Sequence, residues 1–167
     1  ALGLDPRAHV YDAMVWLTQG AQRYDAVIVD FPDPNHFSLG KLYTTRFYAL
    51  LRPRLAPGAA VVVQSTSPLA ARQSFWCVAR TMEAAGFRTR PYHAAVPSFG
   101  EWGYVLATVG ELGTFARMPA GLRFLTDETL PTLFVFPPDM SRVEVDVNRL
   151  NNQVLVQYYD REWRRYF

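Results

Sequence analysis

Apolar residues are set along this chain in two alternating patterns, one at helical spacing and one in short unbroken runs. Met14, Leu17 and Ala21 share a face and predict an amphipathic helix over 13–21, preceded by a short strand at His9-Val10-Tyr11. Ala26-Val27-Ile28-Val29 is too short for a helix and β-branched at its end, as strands buried on both faces of a parallel sheet are. That run ends at Asp30, and Pro32-Asp33-Pro34-Asn35 predicts a turn or loop. Leu42, Tyr43, Phe47, Leu50 and Leu51 return to helical spacing over 42–55, where Pro57-Gly58 stops them.

The unit then repeats. Ala60-Val61-Val62-Val63 predicts a second buried strand, ending at Gln64. Ser67-Pro68 suits the cap and first position of a helix running to about Ala85, with Gly86 as its left-handed stop. Strands over 89–96 and 103–109, separated by residues 97–102, are close enough to form an antiparallel hairpin. Alternating strands and helices with short connections predict an α/β fold with a mostly parallel sheet. Beyond Gly110 the pattern changes, with helices expected over 127–136 and 153–166, the second capped by Asn151 or Asn152. Residues around Pro137-Pro138 and 143–148 read as extended or irregular. The expected organisation is an α/β unit over 1–110 with 111–167 as an extension packed on it.

Length and composition narrow the class. The 167 residues suit one domain, half of them hydrophobic and 19% charged, below the ~25% usual in soluble domains. That low charge hints at surface buried against something else. No apolar run approaches the ~18 residues a membrane-spanning helix needs. Lone Cys77, in Phe75-Trp76-Cys77-Val78, fits a reducing compartment and reads as a small buried hydrophobe. The 17 basic residues include one lysine, Lys41, and the arginines are scattered, with Arg161, Arg164 and Arg165 interleaved with acids. This is a solvated helix face and not a nucleic-acid stripe, so no nucleic-acid partner is expected. The chain opens on Ala1 without an initiator methionine or a signal pattern, as a processed or excised piece would.

Candidate chemistry gathers at the strand ends, where open α/β sheets bind ligands. Asp30, Asp33 and Gln64 fall there. Two carboxylates three residues apart on a proline-stiffened loop suit a cationic amine, which they stabilise and whose proton they accept. The plainer alternative is that both acids cap turns. The segment Pro97-Ser98-Phe99-Gly100-Glu101-Trp102-Gly103 offers an acid and aromatics for a cation with an aliphatic stem, or serves only as a hairpin loop. His9, His36, His93 and Cys77 lack metal-ligand spacing, and neither a phosphate-binding loop nor a dinucleotide fingerprint is present.

These residues resemble a known family. Tyr24-Asp25-Ala26-Val27-Ile28-Val29-Asp30 followed by Phe31-Pro32-Asp33-Pro34 resembles the D-x-x-D-P loop of the spermidine synthase (polyamine aminopropyltransferase) family. Leu42-Tyr43, Phe47-Tyr48, Leu55-Ala56-Pro57-Gly58 and the strand ending at Gln64 continue it. Pro97-Ser98-Phe99-Gly100, Trp102-Gly103-Tyr104 and Val147-Asn148-Arg149-Leu150-Asn151-Asn152-Gln153 are similar to the branch whose members carry an N-terminal membrane region.

The resemblance implies a Rossmann-like, methyltransferase-type fold, here the C-terminal half of the catalytic domain with its helical extension. It implies transfer of an aminopropyl group from decarboxylated S-adenosylmethionine to putrescine, with no tightly bound cofactor and no metal. Asp30 takes the place of the general base, and Asp33 and Gln64 those of diamine-site residues. Asp12 and Ala13 match an acid–small pair that contacts adenine. Phe99, Glu101, Trp102 and Tyr104 are expected substrate-site residues; Phe99 stands where many members have a hydrogen-bonding tyrosine, with Tyr104 or Glu101 expected to compensate for the lost hydroxyl. The family's glycine-rich loop and a second strand-end acid would lie upstream of Ala1, so the chain alone is expected to be inactive. A homodimer, or pairing with that N-terminal half, is expected, in a cytoplasmic domain of a parent anchored in the bacterial inner membrane. The alternatives are a methyltransferase-like enzyme, a different amine acceptor, or a non-catalytic binding module that keeps the fold.

Overall fold

The computed structural model describes residues 12–114 and 117–165. The strand expected at His9-Val10-Tyr11 lies outside them. Helices α1 (Ala13–Gln19), α2 (Phe37–Gly40), α3 (Thr45–Leu51), α4 (Arg72–Ala84) and α5 (Val154–Trp163) accompany strands β1 (Tyr24–Val29), β2 (Leu55–Gln64), β3 (Arg88–Val96) and β4 (Gly100–Thr108). The sheet order is β1-β2-β4-β3. It is mixed: β1 runs parallel to β2, whereas β4 is antiparallel to both β2 and β3. The α/β reading holds, and the parallel pairing is confined to the two unbroken apolar runs, Ala26–Val29 against Ala60–Val63.

Alternation along these strands separates two faces. Val61, Val63, Val105 and Ala107 are fully buried against Tyr48, Phe75, Met82 and Leu155 from α3, α4 and α5. The intervening residues Ile28, Val62, Leu106 and Tyr104 turn to the other face. There Ile28 is 81% exposed, so the expectation that β1 is buried on both faces is not met among the described residues.

Local chemistry explains where elements start and stop. Asp12 caps α1, its Oδ1 accepting from the amides of Met14 (2.9 Å) and Val15 (3.3 Å). The helix expected over 42–55 is broken at Thr44, whose hydroxyl caps α3 through the Phe47 amide. Buried Asn148 holds that break by donating to the carbonyls of Gly40 (3.2 Å) and Tyr43 (3.1 Å). Helix α4 begins at Arg72, not near Ser67, because Ser67 closes a separate turn through its carbonyl and hydroxyl. Gly86 (φ 87°) ends it as expected, with amides of Gly86 and Phe87 bonded back to Glu83 and Met82. The hairpin β3–β4 forms as expected but is longer, pairing Val96 with Gly100 and leaving 97–99 as the loop. Over 127–136 only a 3-10 turn forms, Leu130–Phe134, with Pro131 in its first turn.

The C-terminal residues lie across α4. Trp76 Nε1 donates to Met140 O (2.9 Å), Arg142 pairs with Glu83 (2.6 Å) and Cys77 donates to Asp146 O (3.3 Å). Residues 134–136 wrap the edge of β3: Phe134 packs on Tyr92 and Phe136 on His93 and Phe75. The wrap covers a strand edge that would otherwise offer itself for pairing.

Candidate active site

The parallel strands β1 and β2 end side by side, and each hands a polar residue to the same corner. Val29 pairs with Val63, so Asp30 and Gln64 follow at the carboxyl edge. Tyr104 is the register partner of Gln64 on β4 and stacks on Tyr92 with ring centroids 5.1 Å apart. The loop after β1 is pinned from below by Tyr43, whose hydroxyl donates to the carbonyls of Phe31 (3.1 Å) and Pro32 (3.2 Å). The turn hydrogen bond from Asn35 N to Asp33 O (2.8 Å) closes it.

Asp33 is half-buried and held from two sides. Gln64 Nε2 donates to its Oδ1 (3.2 Å), and the Tyr159 hydroxyl from α5 donates to its Oδ2 (2.9 Å). Both donors are neutral, so they orient the carboxylate without cancelling its charge. Asp30 is exposed at the strand end and, among the described residues, neither it nor Asp33 has an ion-pair partner. Gln64 Oε1 is a buried acceptor without a hydrogen-bond donor.

Three phenols surround these acids, and all are held in the protonated form. Burial first, then the charges of Asp33 and Asp30, push the Tyr43 hydroxyl far above its ordinary value. Burial and Asp33 raise Tyr159, and burial and Asp30 raise Tyr104. These groups therefore act as donors and not as bases at neutral pH. What remains is a corner rich in acceptors and negative charge, suited to an ammonium group, with an exposed carboxylate to receive its proton.

The other expected site residues separate by strand phase. Trp102 and Tyr104 alternate onto the same face of β4, and Trp102 packs on the 67%-exposed Phe99 at 5.4 Å. Glu101 is out of phase with them. Its carboxylate meets His93 Nδ1 at 2.5 Å on the core side, while His93 Nε2 meets Val135 O at 2.8 Å. His93 thus links Glu101 to Val135 and braces residues 134–136. The structure does not bring Glu101 together with Trp102 and Tyr104, because in a strand only every second residue shares a face.

Asp12 stands apart from this corner. Besides capping α1, it is bound to Lys41 (2.9 Å), whose hydrogen bond is the largest cause holding its carboxyl below the ordinary range. Ala13, half-buried, opens α1 and packs on the core. No group of three or more His, Cys, Asp or Glu side chains among the described residues is placed to hold a metal ion. No helix among them is long and apolar enough to cross a membrane.

Tyr159 was not foreseen from the sequence, since it lies 126 positions from the carboxylate it contacts. Its helical phase with Glu162 was the available signal. Glu162, one turn on and only 6% exposed, accepts from the amides of Gln73 (2.7 Å) and Ser74 (3.0 Å) and from Ser74 Oγ (2.7 Å). It thereby caps the start of α4, which has no local side-chain cap.

Comparison with known proteins follows the same outline. Residues 5–116 match the sequence profile of the spermine/spermidine synthase domain. The chain is 52% identical over 154 residues to a polyamine aminopropyltransferase of Leptospira interrogans, covering 92% of this chain and 31% of that protein. It is 50% identical over 165 residues to polyamine aminopropyltransferase 2 of Ralstonia nicotianae, covering 95% and 32%. The chain thus spans about a third of the length of the curated relatives it matches. Two solved structures share the fold at a TM-score of 0.66: spermidine synthase from Thermotoga maritima (21% identity, 80% of this chain and 48% of that one) and a spermidine synthase in complex with the transition-state analogue AdoDATO (24%, 80% and 49%).

Proposed function

The chain belongs to the spermine/spermidine synthase family, and from that premise we propose that it carries the amine-binding side of an aminopropyltransferase site. The transferred group comes from decarboxylated S-adenosylmethionine and the acceptor is putrescine. The observation that carries this reading is Asp33, oriented by two neutral donors and, like Asp30, without an ion-pair partner among the described residues. At an effective dielectric near 20, an ammonium about 4 Å from one carboxylate gains about 4 kcal/mol of Coulomb energy. A neutral hydrogen bond contributes about 1 kcal/mol. The corner therefore favours a cationic diamine over a neutral acceptor.

In this reading Asp33, with Gln64 Oε1 as a further acceptor, holds one ammonium. Asp30 takes the proton from the other. The freed nitrogen attacks the methylene carbon bonded to the sulfonium; the C–N bond forms and the C–S bond breaks. The electron pair returns to sulfur, leaving neutral methylthioadenosine and spermidine. Orientation of the two reactants supplies most of the remaining acceleration. Trp102, Tyr104 and Phe99 line the aliphatic part of the amine. Asp12 and Ala13 belong to the adenine side, where the expected contact shares Asp12 with its cap and Lys41.

The test is steady-state kinetics of the full-length protein. Asp30→Asn lowers kcat about 10²- to 10⁴-fold, the usual worth of a positioned base. Unchanged spermidine formation in that variant would overturn the reading.

The open side of β1, with Ile28 81% exposed, supports a second copy or a further segment covering it. Light scattering of the full-length protein should then give a dimer, and a monomer contradicts the second-copy reading. The resemblance of 147–153 supports a membrane-associated parent, which recovery in the membrane fraction tests and recovery in the supernatant contradicts.

A further inference from the structure

We infer that Tyr159 is a positioning residue of the amine site, and that α5 is thereby part of the active site and not only packing around it. The inference rests on the aminopropyltransferase reading above and deepens it. Tyr159 stands outside the segment that matches the family profile, residues 5–116. Its hydroxyl donates to Asp33 Oδ2 at 2.9 Å.

Three observations give that contact a purpose beyond packing. The first is complementarity: Gln64 Nε2 takes the other carboxylate oxygen, so the two donors fix Asp33 against rotation about its side-chain bonds. The second is protonation: burial and Asp33 raise the Tyr159 phenol, which keeps its proton and leaves the carboxylate charge for the substrate. The third is anchorage. Glu162, three residues along the same helix, is bound to the start of α4 by three hydrogen bonds. At the other end of α5, Asn148 Oδ1 accepts from the Leu155 amide (3.3 Å) while its Nδ2 bonds the carbonyls of Gly40 and Tyr43. Tyr43 in turn pins the loop that carries Asp33. Helix α5 is therefore fixed at one end to the start of α4 and at the other, through Asn148, to Gly40 and Tyr43, which follow the loop, and Tyr159 projects from this frame onto the acid. A residue serving packing alone would not need its hydroxyl on a carboxylate already held by Gln64.

The experiment is a double-mutant cycle in the full-length protein with putrescine and decarboxylated S-adenosylmethionine. Tyr159→Phe keeps the ring and removes one hydrogen bond to a charged group. It is expected to raise KM for putrescine about tenfold, with KM for the nucleoside substrate unchanged and kcat within about twofold. In an Asp33→Asn background the same change should cost less than about twofold, because the residue acts through Asp33. Calorimetric binding of putrescine below the melting temperature gives the same comparison if a variant proves less stable. Wild-type kinetics in Tyr159→Phe, or an undiminished effect in the Asp33→Asn background, would overturn the inference while leaving the amine site standing. A silent Asp33→Asn would overturn both.

Discussion

Two half-buried carboxylates, one in the loop after β1 and one on β4, meet different fates. Asp33, at the strand-end corner, is oriented by an amide and a phenol, both neutral donors. Glu101, on the core side of the hairpin, is matched to His93, whose other nitrogen is spent on Val135 O. The contrast separates a charge that is held ready from one that is already answered. Negative charge with no cation paired to it among the described residues invites a cationic ligand at the mouth of strand ends, whereas an acid–imidazole pair over the core braces a chain segment. Proximity in sequence to an aromatic loop did not bring Glu101 onto the face of Trp102 and Tyr104; the phase of its strand turned it to His93.

Substitutions sharpen this comparison by separating activity from stability. The largest effect beyond Asp30 is expected at Asp33: Asp33→Asn should raise KM for putrescine about 10- to 100-fold, read from initial rates, with little change in melting temperature. A third acid, Glu162, is answered by three donors and is nearly fully buried. Glu162→Ala strands those donors and should cost about 3 kcal/mol, lowering the melting temperature by about 6–12 °C by calorimetry. Wild-type melting would mean that α4 finds another cap. The smallest effect is expected at Glu101, where Glu101→Gln should leave kcat/KM within about twofold and cost at most about 1 kcal/mol. A collapse of amine affinity in that variant would return Glu101 to the substrate site and break the comparison.

The apolar runs 26–29 and 60–63 made β1 and β2 legible, and with them the strand-end position of Asp30 and Gln64. Local signals also served at Gly86 and at the hairpin, where a left-handed residue and short spacing act within a few positions. Where a distant side chain decides, the sequence was silent. The break at Thr44 depends on Asn148, the cap of α4 on Glu162, and the orientation of Asp33 on Tyr159. The phase of Glu101 was readable in principle. The spacing predicts 97–102 as a loop, which has no alternation to assign faces, whereas β4 starts at Gly100. The open face of β1 was missed for a related reason: an unbroken apolar run reads as buried on both sides, whatever covers the second side.

The central claim is that Asp30 and Asp33, unpaired among the described residues, form the amine site. Calorimetric titration of putrescine into the full-length protein, beside its Asp30→Asn/Asp33→Asn double variant, tests it most directly. The account predicts that affinity falls about 100-fold or more in the double variant, as losing two charge-assisted contacts requires. Equal affinity in the two proteins would contradict it.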